Sequence, residues 1–477
     1  MSFFQKFMTV YEGFIGQVSN VMYTYVLIIL LVGGGIFFTL RTRGVQKFLV
    51  EAFRVILEPA EDQDKESISA FQSMMISTAS RVGTGNIAGV STAICTGGPG
   101  AVFWMWVIAF FGMATAFVEG TLAQIYKRRG ENGSCYGGPS YYIESALKKR
   151  SLGVIYAVFM VLTYMVGFNL VASFNVADSF KAYGFYNADI TPLIVGVILA
   201  AVFGLCIMGG GKKIADVASF LVPIMGGLYI GAAVLIIALN VKLLPGVFAS
   251  IFASAFDFKA IFGGFFGSCV MQGIKRGLFS NEAGVGASAS ASGSASVSHP
   301  VKQGLVQVLS VFLDTIVICT ATALLCMCSG VEGNADIAGM PYVQAAISNV
   351  FGQAGVIFIT IALILFAFTT LIGNYFFAET GIVYLFGKKP SKPVLLGIRV
   401  LAIVIVLAGA VAKMGVVWDT ADVLMGLMAI INVPVIFLLS KPVAKCLDNY
   451  VQQKKQGKNP VFKAADIGLK EETDFWN

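Results

Sequence analysis

The sequence predicts an all-α polytopic membrane protein with about eleven transmembrane helices, two of them discontinuous. Three observations predict this. Hydrophobic residues make up 57% of the 477 and charged ones 12%, with a mean hydropathy of +0.80, too apolar for a soluble chain of this length. Apolar runs long enough to cross a hydrocarbon core of roughly 30 Å recur from one end to the other. Two of these runs are spoiled at their centres by Gly and polar residues.

Taken in order, spans 1 to 11 are expected at about 23–40, 71–97, 100–126, 152–178, 190–209, 217–240, 261–282, 303–328, 356–385, 394–414 and 416–440. Between spans 1 and 2, "RGVQKFLVEAFRVILEP" sets Val45, Phe48, Leu49, Phe53 and Ile56 at helical spacing with basic residues between them, the pattern of an interfacial helix. The stretch 329–352 is long enough to cap the outer face. "GASASASGSASVSHP" (286–300) has the composition of a flexible cytoplasmic connector, in which His299 is incidental. The tail from Lys441 is polar and basic, expected to be solvated or held at lipid headgroups.

Loops after the odd-numbered spans collect most of the 33 Lys and Arg residues, including "RTRG" at 41, "KRR" at 127, "GKK" at 211 and "KKPSK" at 388. Positive charge marks the cytoplasmic side, so the N-terminus is expected outside and the C-terminus in the cytoplasm of a multi-pass protein of the cell (inner) membrane. The opening "MSFFQKFMTVYEGFIG" lacks the features of a cleaved signal peptide, so span 1 is expected to be retained.

The net charge of +7 falls in short clusters rather than on one basic face, which points to lipid headgroups and not to nucleic acid. Eight Cys without a CxxC pair and a single His support neither a metal site nor a disulfide framework, and no cofactor is expected. An embedded enzyme needs a nucleophile with a base, which is missing; a channel needs repeated polar stripes, whereas polarity here is concentrated in a few places. Transport is the remaining class, with a monomer as the expected state.

Spans 2–6 and 7–11 form two sets of five. An odd number per set puts the second set's start on the opposite face, so a duplication would be inverted: 67–240 and 241–440, after an N-terminal unit 1–66 and before a basic tail 441–477. Each set begins with an interrupted span. Span 2 contains "SRVGTGNIAGV" and span 7 contains "GGFFGSCVMQGIKRGLFSNEAG". Gly costs a helix about 1 kcal/mol relative to Ala, so a Gly-x-Gly-Asn run argues for an unwound centre. Freed backbone groups in hydrocarbon would each cost several kcal/mol unless they met a ligand, an ion or another helix. Such a break suits a carboxylate-bearing substrate and a small cation.

These blocks resemble a family. "RVGTGNIAGV", "GGPGAVFWMWVIA", "GMATAFVEGTLAQ", "GGPSYYIE", "RGLFSNEAG", "SHPVKQG", "FLDT" and "VWDTADVLMGLMAIIN" are similar, in order and over nearly the whole chain, to the bacterial and archaeal alanine or glycine:cation symporters. The resemblance implies a leucine-transporter-type inverted five-plus-five repeat with an extra N-terminal helix, moving a small neutral amino acid inward with Na+. It further implies that Thr84, Gly85 and Asn86 hold the substrate carboxylate and that Gln272 and Gly273 form the opposite wall. By the same resemblance the carbonyls of Ala79, Val82 and Phe366 and the hydroxyls of Thr369 and Thr370 hold Na+. Asn169 and Ala172 in span 4 would line the pocket; where some members carry Gln after that Asn, this chain does not. In span 9 it reads Gly373-Asn374 where some members have Gly-Trp, as do relatives resembling glutamine carriers. Alanine or glycine, glutamine, and H+ as an alternative coupling ion therefore all stay open.

Four charges lie within or at the ends of spans, where an unpaired charge is expensive. Arg81 is expected to pair with an acidic residue of a neighbouring span, and Asp314 is either that partner or a proton-sensitive site. Glu119 either is buried or snorkels to the interface. Glu282 closes span 7.

Overall fold

The computed structural model describes residues 3–59, 68–130, 135–257, 268–469, 471 and 473–476. Among the described residues, eight helices are long and apolar enough to cross a membrane. They account for spans 1, 3, 4, 6, 8, 9, 10 and 11. Span 5 is Thr191–Ile207, and spans 2 and 7 are broken. Span 1 is longer than expected, an apolar helix over Val10–Arg41. Span 9 continues from the cap at Met340 to Phe386 with an interruption at Gly352. The expected interfacial helix forms at Leu49–Val55. The expected start of span 7, 261–267, and the boundary at 66 lie outside the described residues.

Two groups of helices face each other. Spans 2, 3, 7 and 8 pack as a bundle, and spans 4, 5, 9 and 10 as a scaffold beside it. Span 1 lies against spans 3 and 11. One face of the protein carries Arg41, Lys127 to Arg129 and Lys388-Lys389, and is called the basic face below.

Span 2 runs Ala70–Arg81, held at its start by a capping box between Ser69 and Gln72. It stops at Val82 (φ −76°, ψ 83°) and resumes through the wide turn Gly85–Gly89 into Val90–Gly97. Span 7 begins with Cys269–Asn281 and ends with Ser288–Ser294. Its break is therefore at 282–287, where Glu282, Gly284 and Gly286 all take positive φ, and not at Gln272-Gly273. Those two sit inside an unbroken helix capped by Ser268. The expected connector at 286–300 is in fact the second half of this helix, and every residue of Ser288–Ser294 is buried.

The tail also departs from expectation. Ser440–Lys455 is a helix with Val443, Cys446, Leu447 and Tyr450 buried, and the segment beyond it buries Phe462 and Trp476 against the basic face. Aromatic side chains in a polar segment need a surface to cover, and the ends of spans 3 and 8 on the basic face supply it. His299 is correspondingly not incidental. It caps Pro300–Val311 and lies between the rings of Tyr450 and Phe462, 5.2 Å from each.

Candidate functional site

The break in span 2 is stabilised from within. The Gly83 N–H donates to Asn86 Oδ1 at 2.9 Å instead of continuing the helical ladder to Ala79, and the Asn86 N–H donates to Gly83 O at 3.2 Å instead of Val82 O. The carbonyls of Ala79 and Val82 thereby lose their helical donors. Asn86 Nδ2 donates to Asp314 Oδ1 at 2.7 Å, and Ser280 and Thr315 hydroxyls donate to Asp314 Oδ2 at 2.5 and 2.7 Å. Three neutral donors thus meet one buried carboxylate. Asn86 braces the break, while Thr84 and Gly85 reach the cavity beside it.

That cavity is lined by Ser80, Arg81, Gly83, Thr84, Gly85, Phe168, Phe279 and Thr370 and has room for about one water. The helix that starts at Gly85 presents its N-terminal end here, where the macrodipole favours an anionic group. Thr370 Oγ1 is buried and has no hydrogen-bond partner among the described residues. It points at Gly83, where a Cβ would stand 2.0 Å from it. An oxygen so placed, beside two carbonyls released from a ladder, matches the donor set a hard monovalent cation prefers.

Its neighbour behaves differently. Thr369 Oγ1 donates back to Phe366 O at 3.0 Å and to Leu365 O at 3.2 Å, and touches Met225 Sδ, so the carbonyl of Phe366 is already engaged. Asn374 Nδ2 donates to Asn169 Oδ1 at 3.0 Å, and the Ser80 hydroxyl donates to Asn374 Oδ1 at 2.8 Å. Ala172 is buried one turn past Asn169 and does not reach the cavity. Gln272 and Gly273 are also remote from it. Gln272 packs on Gly97 at the end of span 2, and Gly273 lies against Ala101 and Trp104 of span 3, so their helix face meets those two elements and not the cavity.

Arg81 does not hydrogen-bond the acidic partner considered for it, Asp314. Its guanidinium donates to Gln307 Oε1 at 3.0 Å and Ser288 Oγ at 2.8 Å, tying the first half of span 2 to spans 7 and 8. Asp314 is occupied by Asn86, Ser280 and Thr315 instead. Glu119 is fully buried and accepts from Asn432 Nδ2 at 2.6 Å, so it does not snorkel.

Access is asymmetric. On the face opposite the basic one, Phe279 stacks between Phe168 (4.7 Å) and Trp418 (4.8 Å), and Arg276 lies 4.4 Å over Trp418 while pairing with Asp422 at 3.0 Å. Lys275 reaches the same carboxylate at 2.9 Å. On the basic face a vestibule of about 580 Å³ opens between bundle and scaffold, lined by Arg128, Arg129 and Asp474 on one wall and Glu144, Glu379, Lys388 and Lys389 on the other. Its floor at Phe376 is roughly 9 Å along span 9 from Thr370.

Sequence reasoning singled out Glu282 only as a charge at the end of span 7, and missed Ser80, Phe168 and Phe279 as members of this region. Wide helical turns at Gly85–Gly89, Leu162–Gly167 and Phe312–Cys319 all border it, a feature frequent at functional sites and without a sequence signature. "SNEAG" was the legible signal: a Glu beside a Gly at a helix end.

A centre of two broken helices, closed towards one face and open to the other, defines a secondary transporter. The particular family is given by the sodium:alanine symporter family profile, which matches residues 8–464; the chain belongs to that family. It is a sodium-coupled amino-acid symporter and an integral membrane protein. The chain is 45% identical over 453 residues to the Probable sodium/glutamine symporter GlnT of Bacillus subtilis, covering 94% of this chain and 93% of that one. It is 38% identical to the Sodium/alanine symporter AgcS of Methanococcus maripaludis over 443 residues, covering 90% and 95%. Among solved structures, MhsT in complex with L-phenylalanine superposes with a TM-score of 0.56 at 13% identity, covering 87% of this chain and 95% of that chain. The fold is the leucine-transporter type.

Proposed function

We propose that the protein carries a small neutral amino acid, alanine or glycine, into the cell together with Na+. The observation that carries this reading is the unpartnered Thr370 hydroxyl aimed at Gly83 in the break of span 2. Na+ sits between that hydroxyl and the carbonyls of Ala79 and Val82. The substrate carboxylate lies at Thr84 and Gly85, at the N-terminal end of the resumed helix. The close approach of Phe168 and Phe279 supports a small side chain. Basic clusters on the vestibule face support its being cytoplasmic, so the state described here opens inward, with Arg276–Asp422 and the Phe279–Trp418 stack as the closed outer gate. Each of the units 67–240 and 241–440 contributes helices to both bundle and scaffold, and these two groups rock against each other about the site.

Glutamine is a second reading. It is favoured by the Asn374–Asn169 pair beside the site and by the similarity to a protein named for glutamine. The deciding experiment is uptake of labelled alanine, glycine and glutamine into liposomes under inward Na+, Li+ or H+ gradients. Faster alanine or glycine uptake under Na+ than without a gradient is expected; uptake indifferent to every gradient sinks the reading.

A further inference from the structure

Glu282 is the feature the symport reading leaves unused. It is fully buried, closes Cys269–Asn281, and holds φ 54°, ψ 17°, a backbone region a non-Gly residue adopts at a cost. The neighbouring elements bring Ser80 and Arg81 from span 2, Glu119 from span 3, Tyr156 and Tyr164 from span 4, and Asp314 from span 8 to face it. Three of these residues together, Glu119, Glu282 and Asp314, set three carboxylates against the single guanidinium of Arg81. Among the described residues none of the three makes an ion pair, since the Arg81 donors go to Gln307 and Ser288. All ionised, the group carries a net charge of −2 in the membrane interior, where uncompensated charge is costly. One Na+ leaves it at −1.

The hydrogen-bond chain shows where a proton compensates. Ser80 Oγ stands 2.8 Å from Asn374 Oδ1 and 3.2 Å from Glu282 Oε1, and Asn374 in turn contacts Asn169. Ser80 has a single hydrogen to give. When it serves Asn374, the Glu282 contact requires a hydrogen on the carboxyl; when it serves Glu282, the carboxylate is ionised and the two amides turn over. The two polarities of the chain differ by one proton. Tyr164 donates to the other oxygen, Oε2, at 3.0 Å in either case.

We propose that Glu282 is a proton site, separate from the Na+ site, whose charge state is relayed through Ser80 to the Asn374–Asn169 pair. Ser80 lines the cavity, so the transfer is short: a hydronium in the cavity gives its proton to Ser80 Oγ as the Ser80 hydrogen passes to Glu282 Oε1, leaving water. This deepens the symport reading and rests on it for its place in the transport cycle.

The test uses the full-length protein in two assays. In weakly buffered detergent solution with a pH-indicating dye, adding alanine and Na+ to wild type is expected to change the bound protons, and Glu282→Gln, which keeps volume and hydrogen bonding, is expected to abolish the change. In liposomes at a fixed Na+ gradient, wild-type uptake is expected to vary between pH 5.5 and 8.5 and the Glu282→Gln rate to be flat. A variant retaining the wild-type profile, or a wild type with neither proton exchange nor pH dependence, overturns the proposal. Should Glu282→Gln fail to fold, Tyr164→Phe decides. It removes a donor that favours the ionised carboxylate, so the midpoint of the profile is expected to rise by about one pH unit, and an unmoved midpoint overturns the assignment. Failure of the symport reading looks different: no Na+-driven uptake by wild type, with proton exchange that still vanishes in Glu282→Gln.

Discussion

At the scale of single residues, the site turns on which of two adjacent hydroxyls is spoken for. Thr369 donates to carbonyls of its own helix and Thr370 does not, so the two should respond differently to the same change. Thr370→Ala is expected to raise the Na+ concentration for half-maximal uptake about tenfold, the loss of one charge-assisted contact of roughly 1.4 kcal/mol; Thr369→Ala is expected to leave it within about twofold. Equal shifts in the two variants would remove Thr370 from the ion site. Gly83→Ala is the steric counterpart. Its Cβ would meet Thr370 Oγ1 at 2.0 Å, and Na+-driven uptake is expected to fall below a tenth of wild type. A "TT" pair in an apolar run was readable as a pair of oxygens, but the choice between them depends on helix rotation against span 2. That is a tertiary fact. The Arg81 contacts are another: charge suggested an acid, whereas Gln307 and Ser288 accept from the two terminal guanidinium nitrogens because the second half of span 7 folds beside it.

At the scale of elements, the first break was legible and the second was misplaced for a physical reason. "GTGN" combines low helix propensity with an Asn able to cap a broken turn, and the structure uses Asn86 in that way. Span 7 offers several Gly-rich candidates. Around Gly273 the missing side chain allows close packing on Ala101 and Trp104, not unwinding. "SASASGS" has the composition of a linker, yet only small residues let that helix pass so near Gly137, where the Gly293 Cα approaches within 2.7 Å of a Cβ placed there. The tail shows the same limit, since its few aromatic residues carry no helical periodicity. Trp476 Nε1 donates to Gln124 O at 2.7 Å, the Phe462 N–H to Ser298 O at 3.0 Å, and Lys127 lies 5.1 Å over the Trp476 ring. Trp476→Ala is expected to cost roughly 3 kcal/mol, read as a lower melting temperature in detergent and protease cleavage after Lys454 or Lys458; an unaltered melting temperature would show that the tail contributes nothing to the fold. Burial pushes the His299 imidazole from its ordinary 6.5 down to about 4. Because the folded form holds it neutral and the released form protonates near 6.5, the docking energy is complete above that pH and is lost as pH falls from about 6.5 towards 4. Protease sensitivity of the tail should rise across that window in wild type and stay level in His299→Gln.

At the scale of the whole molecule, recurring apolar run length made the helical, polytopic class readable, while the conformational state was not. State is decided by which face holds the closed contacts, here the aromatic stack and the Arg276–Asp422 pair opposite a vestibule of about 580 Å³. The energetic logic is reciprocal. An ion pair of nearly full burial on one side is stable only while water is excluded there, and the vestibule on the other admits the water that hydrates Arg128, Glu144 and Lys388. Alternation exchanges these roles, so weakening the outer pair should bias the equilibrium outward. Two cysteines on opposite faces report this without new side chains. Cys135 lines the vestibule, and Cys95, half-buried, ends the resumed half of span 2 near Gly333. In right-side-out vesicles a membrane-impermeant maleimide is expected to label Cys95 and spare Cys135, and in inside-out vesicles the reverse, which checks the cytoplasmic placement of the basic face. Arg276→Ala is then expected to slow Cys135 labelling in inside-out vesicles several-fold and speed that of Cys95, as the population shifts towards the outward-open state. Labelling of Cys135 that is unaffected by Arg276→Ala would remove the pair with Asp422 from the outer gate.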